Sequence, residues 1–259
     1  MEQENKNILS YWEKDDIESM YDKNLLKAEI RIIRANLQPN SKILDAGCGE
    51  GEGTYEYSKI PGVIIHAADF SEVRLKKAAG RLIESENVQL KKIDFLNAYS
   101  LDNDYDFIIS QRFLINLMEW RLQSKVLSDF MQRLKPGGKL ILLEGSQIGV
   151  DELNYFRSLW GLEPISVKWH NLFFDDNVLL SFMRQNRFEL IDQKGLGSYF
   201  LLTRGIKPNI DKELSWNCEF NRIAATEKIE EILNVGLKFS RLKLWVFENT
   251  GTEKLGEIG

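Results

Sequence analysis

The feature that most constrains the fold is a short apolar segment that passes directly into a turn with glycine at every second position. The apolar segment is residues 42–46, and Gly47, Gly49, Gly51 and Gly53 follow it. Glycines at such a turn let the backbone adopt positive φ angles and approach a ligand closely. The pattern predicts a buried strand that ends in a ligand-binding turn, although a tight turn also needs glycine for purely structural reasons.

The rest of the chain alternates apolar runs with amphipathic segments. The apolar runs predict seven strands, at residues 42–46, 63–68, 88–93, 105–110, 139–144, 188–193 and 242–247. Apolar residues at helical spacing predict helices over 72–84 and 116–134, and Lys135-Pro136-Gly137-Gly138 should end the second helix. Because parallel strands need helical crossovers, we expect a doubly wound α/β fold with a mostly parallel sheet, its last strand antiparallel at or near an edge.

Three segments do not follow the strand–helix rhythm. Residues 1–40 precede the first strand and are expected to form a helical N-terminal cap segment. Aromatic and polar residues mix without a clear period over 146–187 and 196–239, which we interpret as cap insertions into a main domain of residues 41–259. The expected architecture is therefore one α/β domain with a helical and aromatic cap.

Charge, cysteine content and hydropathy exclude several classes of protein. The chain has 34 Lys and Arg against 39 Asp and Glu, and it lacks a basic run, so we expect no nucleic-acid partner and no membrane partner. Cys48 and Cys218 are too few for a disulfide scaffold and lack the spacing of a zinc site. The N-terminus is polar, and no apolar stretch approaches the ~18 residues of a membrane span, so we expect a cytoplasmic protein.

The glycine turn can be compared with the known phosphate-binding loops. A dinucleotide site requires G-x-G-x-x-G, but Glu52 stands where the last glycine should be, and Glu50 and Glu52 would bring negative charge toward a pyrophosphate. A P-loop requires a lysine before Thr54, which is absent. A cationic ligand without phosphate would tolerate these carboxylates.

Asp45, Gly47, Gly49 and Gly51 match the motif D-x-G-x-G-x-G position for position. In this respect the chain resembles the class I S-adenosylmethionine-dependent methyltransferases, whose first motif is an apolar strand followed by these residues. The resemblance extends over residues 40–145. It implies a Rossmann-like methyltransferase fold, S-adenosylmethionine as cofactor and S-adenosylhomocysteine as the product of that cofactor.

The resemblance also implies roles for residues at the strand ends. Asp69, followed by Phe70, is expected to accept hydrogen bonds from the two ribose hydroxyls. Asp94 is expected to meet the adenine amino group, and Phe95 to pack on the ring. Three further residues complete the expected cofactor site: Cys48 of the glycine turn, Gln111 after the fourth strand, and Tyr11 of the N-terminal segment.

Two residues are candidates for a general base. His170 lies in the first cap insertion, where an imidazole could take a proton from an acceptor near neutral pH. Glu144, at the end of the fifth strand, is the rival, although it could also only cap a turn. Gln111 and Arg112 follow the fourth strand where a metal-dependent enzyme would need acidic ligands, so we predict no metal.

The acceptor is expected to be a small, polar, anionic molecule. Candidate binding residues are Arg112, Trp169, Asn171, Tyr199 and Arg204, because converging arginines recognise phosphate or carboxylate. Segments around residues 112–117, 169–171 and 198–204 look like a bacterial small-molecule subgroup associated with capsule and surface-polysaccharide genes, which implies O- or N-methylation of a sugar, nucleotide-sugar or phosphorylated precursor.

Two other functions stay open at this point. One is a sensor or scaffold that binds S-adenosylmethionine without turnover. The other is a nucleotide-dependent oxidoreductase. We expect a monomer or a homodimer.

Overall fold

The computed structural model describes residues 2–17, 20–97, 99–211 and 215–251. These residues contain a seven-stranded sheet with the order β3-β2-β1-β4-β5-β7-β6. The strands are β1 Lys42–Ala46, β2 Ile64–Asp69, β3 Val88–Lys92, β4 Tyr105–Gln111, β5 Leu134–Gly145, β6 Phe188–Gly195 and β7 Leu242–Asn249. Strands β1 to β5 pair in parallel, whereas β7 is antiparallel to both β5 and β6. The predicted mostly parallel sheet is confirmed, and its antiparallel last strand lies one place in from the edge.

Helices occupy most of the chain between the strands. They are α1 Glu2–Trp12, α2 Lys23–Arg34, α3 Glu52–Ser58, α4 Glu72–Arg81, α5 Trp120–Arg133, α6 Gln147–Leu159, α7 Asp176–Gln185, α8 Gly197–Phe200, α9 Lys207–Ile210, α10 Glu219–Ala224 and α11 Glu227–Leu233, with a 3₁₀ turn at Leu114–Asn116 and a π-helical segment at Leu201–Ile206. Side-chain caps fix several helix starts, since Asp22 accepts from the Leu25 amide and Ser71 from the Arg74 amide. Among the described residues, no helix is long and apolar enough to cross a membrane.

The segment between α5 and β5 differs from the sequence prediction. The helix does end before Pro136, but β5 begins at Leu134, five residues earlier than expected. Leu134 pairs with Tyr105 and Lys139 pairs with Phe107, so the four residues between them form an irregularity within the strand. Gly137, at φ +76°, permits this irregularity because it has no side chain to strain.

Helices fill the two segments that lacked a clear period. Residues 146–187 contain α6 and α7, and residues 196–239 contain α8 to α11 with the π-helical segment. Residues 1–40 contain α1 and α2, as expected. The division of the chain into a cap and a main domain stays a prediction.

The central strands of the sheet are buried on both faces, whereas the edge strands β3 and β6 are partly exposed. Successive residues of β1 point to opposite sides, so Ile43 belongs to one apolar cluster and Leu44 to another. Helices on both faces leave these central strands accessible mainly at their ends. In an open parallel sheet the carboxyl ends of the strands therefore form the ligand-binding edge.

Candidate active site

A cavity of about 400 Å³ lies at the carboxyl ends of β1, β2 and β4. Most of the predicted site residues line it: Asp45, Gly47, Cys48, Gly49, Asp69, Phe70, Asp94, Phe95, Gln111, Arg112, His170, Asn171 and Arg204. Five predicted residues are not among the lining residues, namely Tyr11, Gly51, Glu144, Trp169 and Tyr199. The cavity joins residues from both halves of the chain.

The glycine loop is held against β2 by backbone hydrogen bonds. The amides of Gly47 and Cys48 both donate to the Ala68 carbonyl, at 2.8 and 3.0 Å. Gly47 has φ +73°, and a Cβ there would lie 2.4 Å from the Phe113 Cβ, so this position requires glycine for packing. Gly49 has φ +55°, and a Cβ there would meet no atom within 4 Å, so its free side faces open space that a ligand can fill. Gly51 instead caps α3 at φ +77°.

Two buried carboxylates flank the loop. Asp45 accepts a 2.6 Å hydrogen bond from the Thr54 hydroxyl, and burial raises the pKa of Asp45 to about 6. Asp69 accepts from the amides of Gly49 and Ser71, each at 2.9 Å. Burial raises the pKa of Asp69, whereas the two amides lower it. A carboxylate offers about four lone pairs, so Asp69 retains acceptor capacity for ligand hydroxyls.

The end of β3 supplies an apolar surface with a carboxylate at its rim. The Asp94 carboxylate accepts from the Leu96 amide at 2.9 Å and from the Asn97 side-chain amide at 2.7 Å. Phe95 is buried, and its ring centroid lies 5.3 Å from that of Phe113. This combination suits a flat heteroaromatic ring that carries a hydrogen-bond donor.

The acidic residues of the glycine loop are paired with cations. Arg74, only 2% exposed, forms a close ion pair with Glu50, and Lys77 approaches the same carboxylate at 3.5 Å. Arg81 lies 3.5 Å from Glu52. The negative charges of Glu50 and Glu52 are therefore largely neutralised within the protein. These two residues no longer give a reason to expect repulsion of a pyrophosphate. The missing third glycine remains the feature that distinguishes this loop from a dinucleotide-binding loop.

Arg112 is fixed by a carboxylate that the sequence analysis missed. The Nε of Arg112 lies 3.1 Å from Glu29 Oε2, which also accepts from Gln111 Nε2 at 2.7 Å. Glu29 is fully buried, and burial raises its pKa while Arg112 opposes that rise. The sequence does contain an indication of this role, because a glutamate on the apolar face of α2, between Leu25 and Ile33, would be buried and would need a cationic partner.

Arg204 is fixed in a similar way. Its Nη2 lies 2.6 Å from Asp22, and its guanidinium lies 4.1 Å from the centre of the Trp216 ring. The Tyr199 hydroxyl donates to the same Asp22 carboxylate at 2.7 Å. Tyr199 is thus buried behind the cavity, where it positions Asp22 and Arg204 rather than lining the site.

Two further cations line the cavity, and the sequence analysis did not select Arg241 at all. The Arg241 guanidinium lies 5.5 Å from the centre of the Phe173 ring. Burial and the neighbouring Arg204 and Arg112 lower the pKa of Arg241 to about 10. Burial, Arg241 and Arg112 also lower the pKa of Lys168. Neither Arg241, which is half-buried, nor Lys168, which is exposed to solvent, has a side-chain hydrogen bond or ion pair with any other described residue.

His170 is packed among aromatic rings. It is 3% exposed, stacks on Tyr11 with centroids 4.8 Å apart, and meets the edge of Trp12 at 5.5 Å. Its Nδ1 has no hydrogen-bond partner among the described residues. Burial, with a smaller effect from Lys168, lowers the pKa of His170 to about 4, so the imidazole is neutral at pH 7. Tyr11 thus contacts His170, and Trp169, which is 60% exposed, flanks it from outside.

Glu144 is placed behind the cavity wall. Its carboxylate accepts from the Ser110 hydroxyl at 2.6 Å and from the amides of Phe113, Leu114 and Ile115 at 3.0 to 3.2 Å. Burial raises its pKa to about 7. Four donors occupy both oxygens, so the placement supports a structural role in the turn after β4 rather than contact with an acceptor.

Metal and thiol chemistry find little support in the described residues. Within these residues no group of three or more His, Cys, Asp or Glu side chains could hold a metal ion. Cys48 lines the cavity, but burial and the nearby carboxylates raise its pKa, which disfavours the reactive thiolate.

The part of the chain that contains the glycine loop is similar to known methyltransferases. Residues 43–138 match the family described as "Methyltransferase domain". A demethylmenaquinone methyltransferase from Staphylococcus epidermidis is 27% identical over 169 residues, which is 64% of this chain and 68% of that one. Other enzymes of that name match over about half of their length.

Solved structures show a similar fold over nearly the whole chain. A phosphoethanolamine N-methyltransferase of Haemonchus contortus, in complex with phosphoethanolamine and S-adenosylhomocysteine, has a TM-score of 0.66 at 14% identity and covers 99% of this chain and 50% of its own. An N-methyltransferase of Bradyrhizobium japonicum in complex with S-adenosylhomocysteine has a TM-score of 0.60 at 13% identity, covering 96% and 100%. The match of residues 43–138 to a methyltransferase domain and the similarity to enzymes named as methyltransferases support an S-adenosylmethionine-dependent methyltransferase, and the solved structures show that the chain shares their fold.

Proposed function

We propose that this methyltransferase transfers the methyl group to an oxygen or nitrogen of a small anionic metabolite. The observation that carries the proposal is the presence of Arg241 and Lys168, two cations without a carboxylate partner among the described residues, in the same cavity as the glycine loop. The half-buried Arg241 favours an anionic ligand, because a charge of this kind is costly to leave unpaired, and the exposed Lys168 adds a second positive charge.

The half of the cavity around the loop fits S-adenosylmethionine. Asp69 would accept hydrogen bonds from the ribose hydroxyls, and Asp94 with Phe95 would hold the adenine. The open side of Gly49 leaves room for close approach. Asp45 and Gln111, which also line the cavity, would face the amino-acid end, and the cofactor, when bound, would supply a methyl group activated by its sulfonium.

The residues of the chain would mainly orient the acceptor. Arg112 and Arg204 are held by Glu29 and Asp22, so their guanidinium groups are pre-organised. Orientation of the reacting groups is worth up to roughly 7–11 kcal/mol when the geometry is ideal. Asn171 lines the same end and can donate or accept a hydrogen bond.

His170 is the candidate for accepting the acceptor proton. A neutral imidazole with a lowered pKa is a weak base, but it is present in the basic form throughout the neutral range. Replacement His170→Gln should lower kcat if the acceptor loses a proton in the slow step. Unchanged turnover at saturating acceptor would remove this role.

Several classes of acceptor satisfy these features. A sugar phosphate, a nucleotide-sugar or another phosphorylated precursor fits the cationic end, and the similarity to a phosphoethanolamine N-methyltransferase supports an acceptor of this charge. A role in surface-polysaccharide synthesis, a cytoplasmic location and a monomeric or dimeric state stay predictions. The cavity continues from the glycine loop to the cations, which favours turnover over a sensor with a blocked acceptor site.

The proposal can be tested with methyl-labelled S-adenosylmethionine and a panel of acceptors. The panel contains phosphorylated amines and alcohols, carboxylates of similar size, and their neutral analogues. We expect labelled product and S-adenosylhomocysteine release with anionic acceptors only. Product from neutral acceptors alone would contradict the anionic class, and tight S-adenosylhomocysteine binding without turnover on any acceptor or in cell extract would indicate a sensor.

A further inference from the structure

We infer that Arg241 and Lys168 form a subsite for a phosphate monoester dianion, and that Arg241 selects this group over singly charged acceptors. The inference rests on the proposed function, because it takes the cationic end of the cavity as the acceptor site. It adds the chemical class of the acceptor anion and a specificity residue.

At this end of the cavity, positively charged side chains outnumber the carboxylates that pair with them among the described residues. Arg112, Arg204, Arg241 and Lys168 line it. Among the described residues, the carboxylates that pair with these cations are Glu29 beside Arg112 and Asp22 beside Arg204. Within the described part of the chain, the half-buried Arg241 and the solvent-exposed Lys168 therefore have no carboxylate partner, which leaves two positive charges that a ligand can neutralise.

The guanidinium N–H donors of Arg241 are more available to a ligand than those of Arg112 and Arg204. Glu29 and Asp22 engage one edge of Arg112 and Arg204 respectively, which reduces what each guanidinium can offer to a ligand. Arg241 has no such partner among the described residues, and its guanidinium instead lies over the Phe173 ring. A guanidinium supported on an aromatic face keeps its planar edge of N–H donors, which matches two phosphate oxygens at once.

The backbone that carries Arg241 is held by the neighbouring strands. The next residue, Leu242, begins β7 and pairs with Gly145 of β5. The Arg241 carbonyl accepts a 3.0 Å hydrogen bond from the Ser146 amide. Sites built on strands hold their side chains more closely than sites on loops. Lys168 lies in a loop and supplies a more mobile point charge.

The two unpaired cations distinguish a doubly charged ligand from a singly charged one. A carboxylate or sulfate ester would neutralise one of the two charges and leave the other unpaired. A phosphate monoester neutralises both. Because a dianion is attracted to both cations, and Arg241 is partly buried, the charge at this end of the cavity favours the doubly charged ligand.

The test compares two probes of the same shape and different charge. Methyl phosphate and methyl sulfate are both tetrahedral esters, and at pH 8 the first is a dianion and the second a monoanion. Each is titrated at constant ionic strength into the protein saturated with S-adenosylhomocysteine, with binding followed by calorimetry. We expect methyl phosphate to bind roughly tenfold tighter or more, in line with charged hydrogen bonds of this kind.

Variants assign the effect to Arg241. Arg241→Met should weaken methyl phosphate binding roughly ten- to hundredfold, whereas Arg241→Lys should retain part of the affinity. Arg184→Met is the matched control, because Arg184 is an exposed arginine in the last turn of α7 that does not line the cavity. It should bind methyl phosphate like the unmodified protein. Each variant is first titrated with S-adenosylhomocysteine, which shows that it is folded.

The possible outcomes separate this inference from the proposed function. Equal affinity for the two probes, or unchanged methyl phosphate binding in Arg241→Met, would overturn the phosphate subsite. If methyl transfer to an anionic carboxylate were then observed, the proposed function would stand. Absence of S-adenosylhomocysteine binding would instead refute the proposed function, whatever the two probes do.

Discussion

The amide of Gly49 donates a 2.9 Å hydrogen bond to the carboxylate of Asp69. This bond joins the glycine loop after β1 to the end of β2. The side chain expected to hold the ribose therefore also fixes the loop that the cofactor approaches. Loop conformation and cofactor affinity should change together when Asp69 is altered.

Two glycines of the loop should respond differently to alanine. Gly47→Ala places a methyl group 2.4 Å from Phe113 in a left-handed conformation, so the free energy of unfolding should fall by about 2–4 kcal/mol. Gly49→Ala meets no protein atom within 4 Å and should cost only about 1–2 kcal/mol of backbone strain. Its methyl group faces the cavity, so it should weaken S-adenosylhomocysteine binding.

Urea denaturation and calorimetric titration of both variants check this prediction. Each variant is the control for the other, since both replace a positive-φ glycine of the same loop. Equal losses of stability would show that the space beside Gly49 is not open as described.

Glu144→Gln should destabilise the protein by about 2–4 kcal/mol at pH 8. The carboxamide would present a donor to a site that already contains the amides of Phe113, Leu114 and Ile115. Misplacement of the turn that carries Arg112 should raise KM for the acceptor more than it lowers kcat. A normal stability with kcat reduced a hundredfold or more would instead indicate that Glu144 acts as the base.

The cofactor half of the site could be predicted from sequence because local patterns encode it. Strands buried on both faces appear as nearly continuous apolar runs, and the residues at their carboxyl ends meet at one edge. Asp45, Asp69 and Asp94 are all found there. The early start of β5 was missed because Pro136 and Gly137 normally end an element, whereas here they form an irregularity within one.

The acceptor half could not be predicted in the same way. Asp22 and Arg204 are 182 residues apart, and no local pattern indicates that they form an ion pair. Arg241 precedes β7 without a distinguishing motif. Tyr199 and Trp169 were selected by residue type, but the direction of each side chain depends on packing that sequence periodicity does not specify. For this reason Tyr199 lies behind the cavity and Trp169 lies outside it, although both were expected to line it.

The pH dependence of stability should report on His170. Its pKa is about 4 in the folded protein against 6.5 ordinarily, so between these values the unfolded chain binds more protons. Its contribution to stability is therefore complete above pH 6.5 and is lost as the pH falls toward 4. In His170→Gln this contribution is absent. Urea denaturation at pH 7.5 and 4.5 should show a smaller loss of stability for the variant, and identical losses would refute the lowered pKa.

The segment from Trp12 at the end of α1 to Ile17 should control release of the cofactor product. The Trp12 indole donates to the Asn116 side chain at 3.2 Å, and Arg74 on α4 donates to the Ile17 carbonyl at 2.7 Å. Both contacts hold this segment at the cavity. Arg74→Met should increase the dissociation rate of S-adenosylhomocysteine roughly tenfold or more, since it removes charged hydrogen bonds.

Stopped-flow fluorescence measures that rate, and Lys76→Met is the matched control. Lys76 is exposed on the same helix and does not line the cavity. An unchanged rate in Arg74→Met would show that the segment does not limit release.

The most direct test of the central claim is a calorimetric titration of S-adenosylhomocysteine into the unmodified protein and into Asp69→Ala. The account predicts one site per chain, with affinity lowered roughly ten- to hundredfold in the variant by the loss of charged hydrogen bonds. Asp151→Ala, which removes an exposed carboxylate on α6, should bind like the unmodified protein. Absence of binding to the unmodified protein, or equal affinity in Asp69→Ala, would contradict the account.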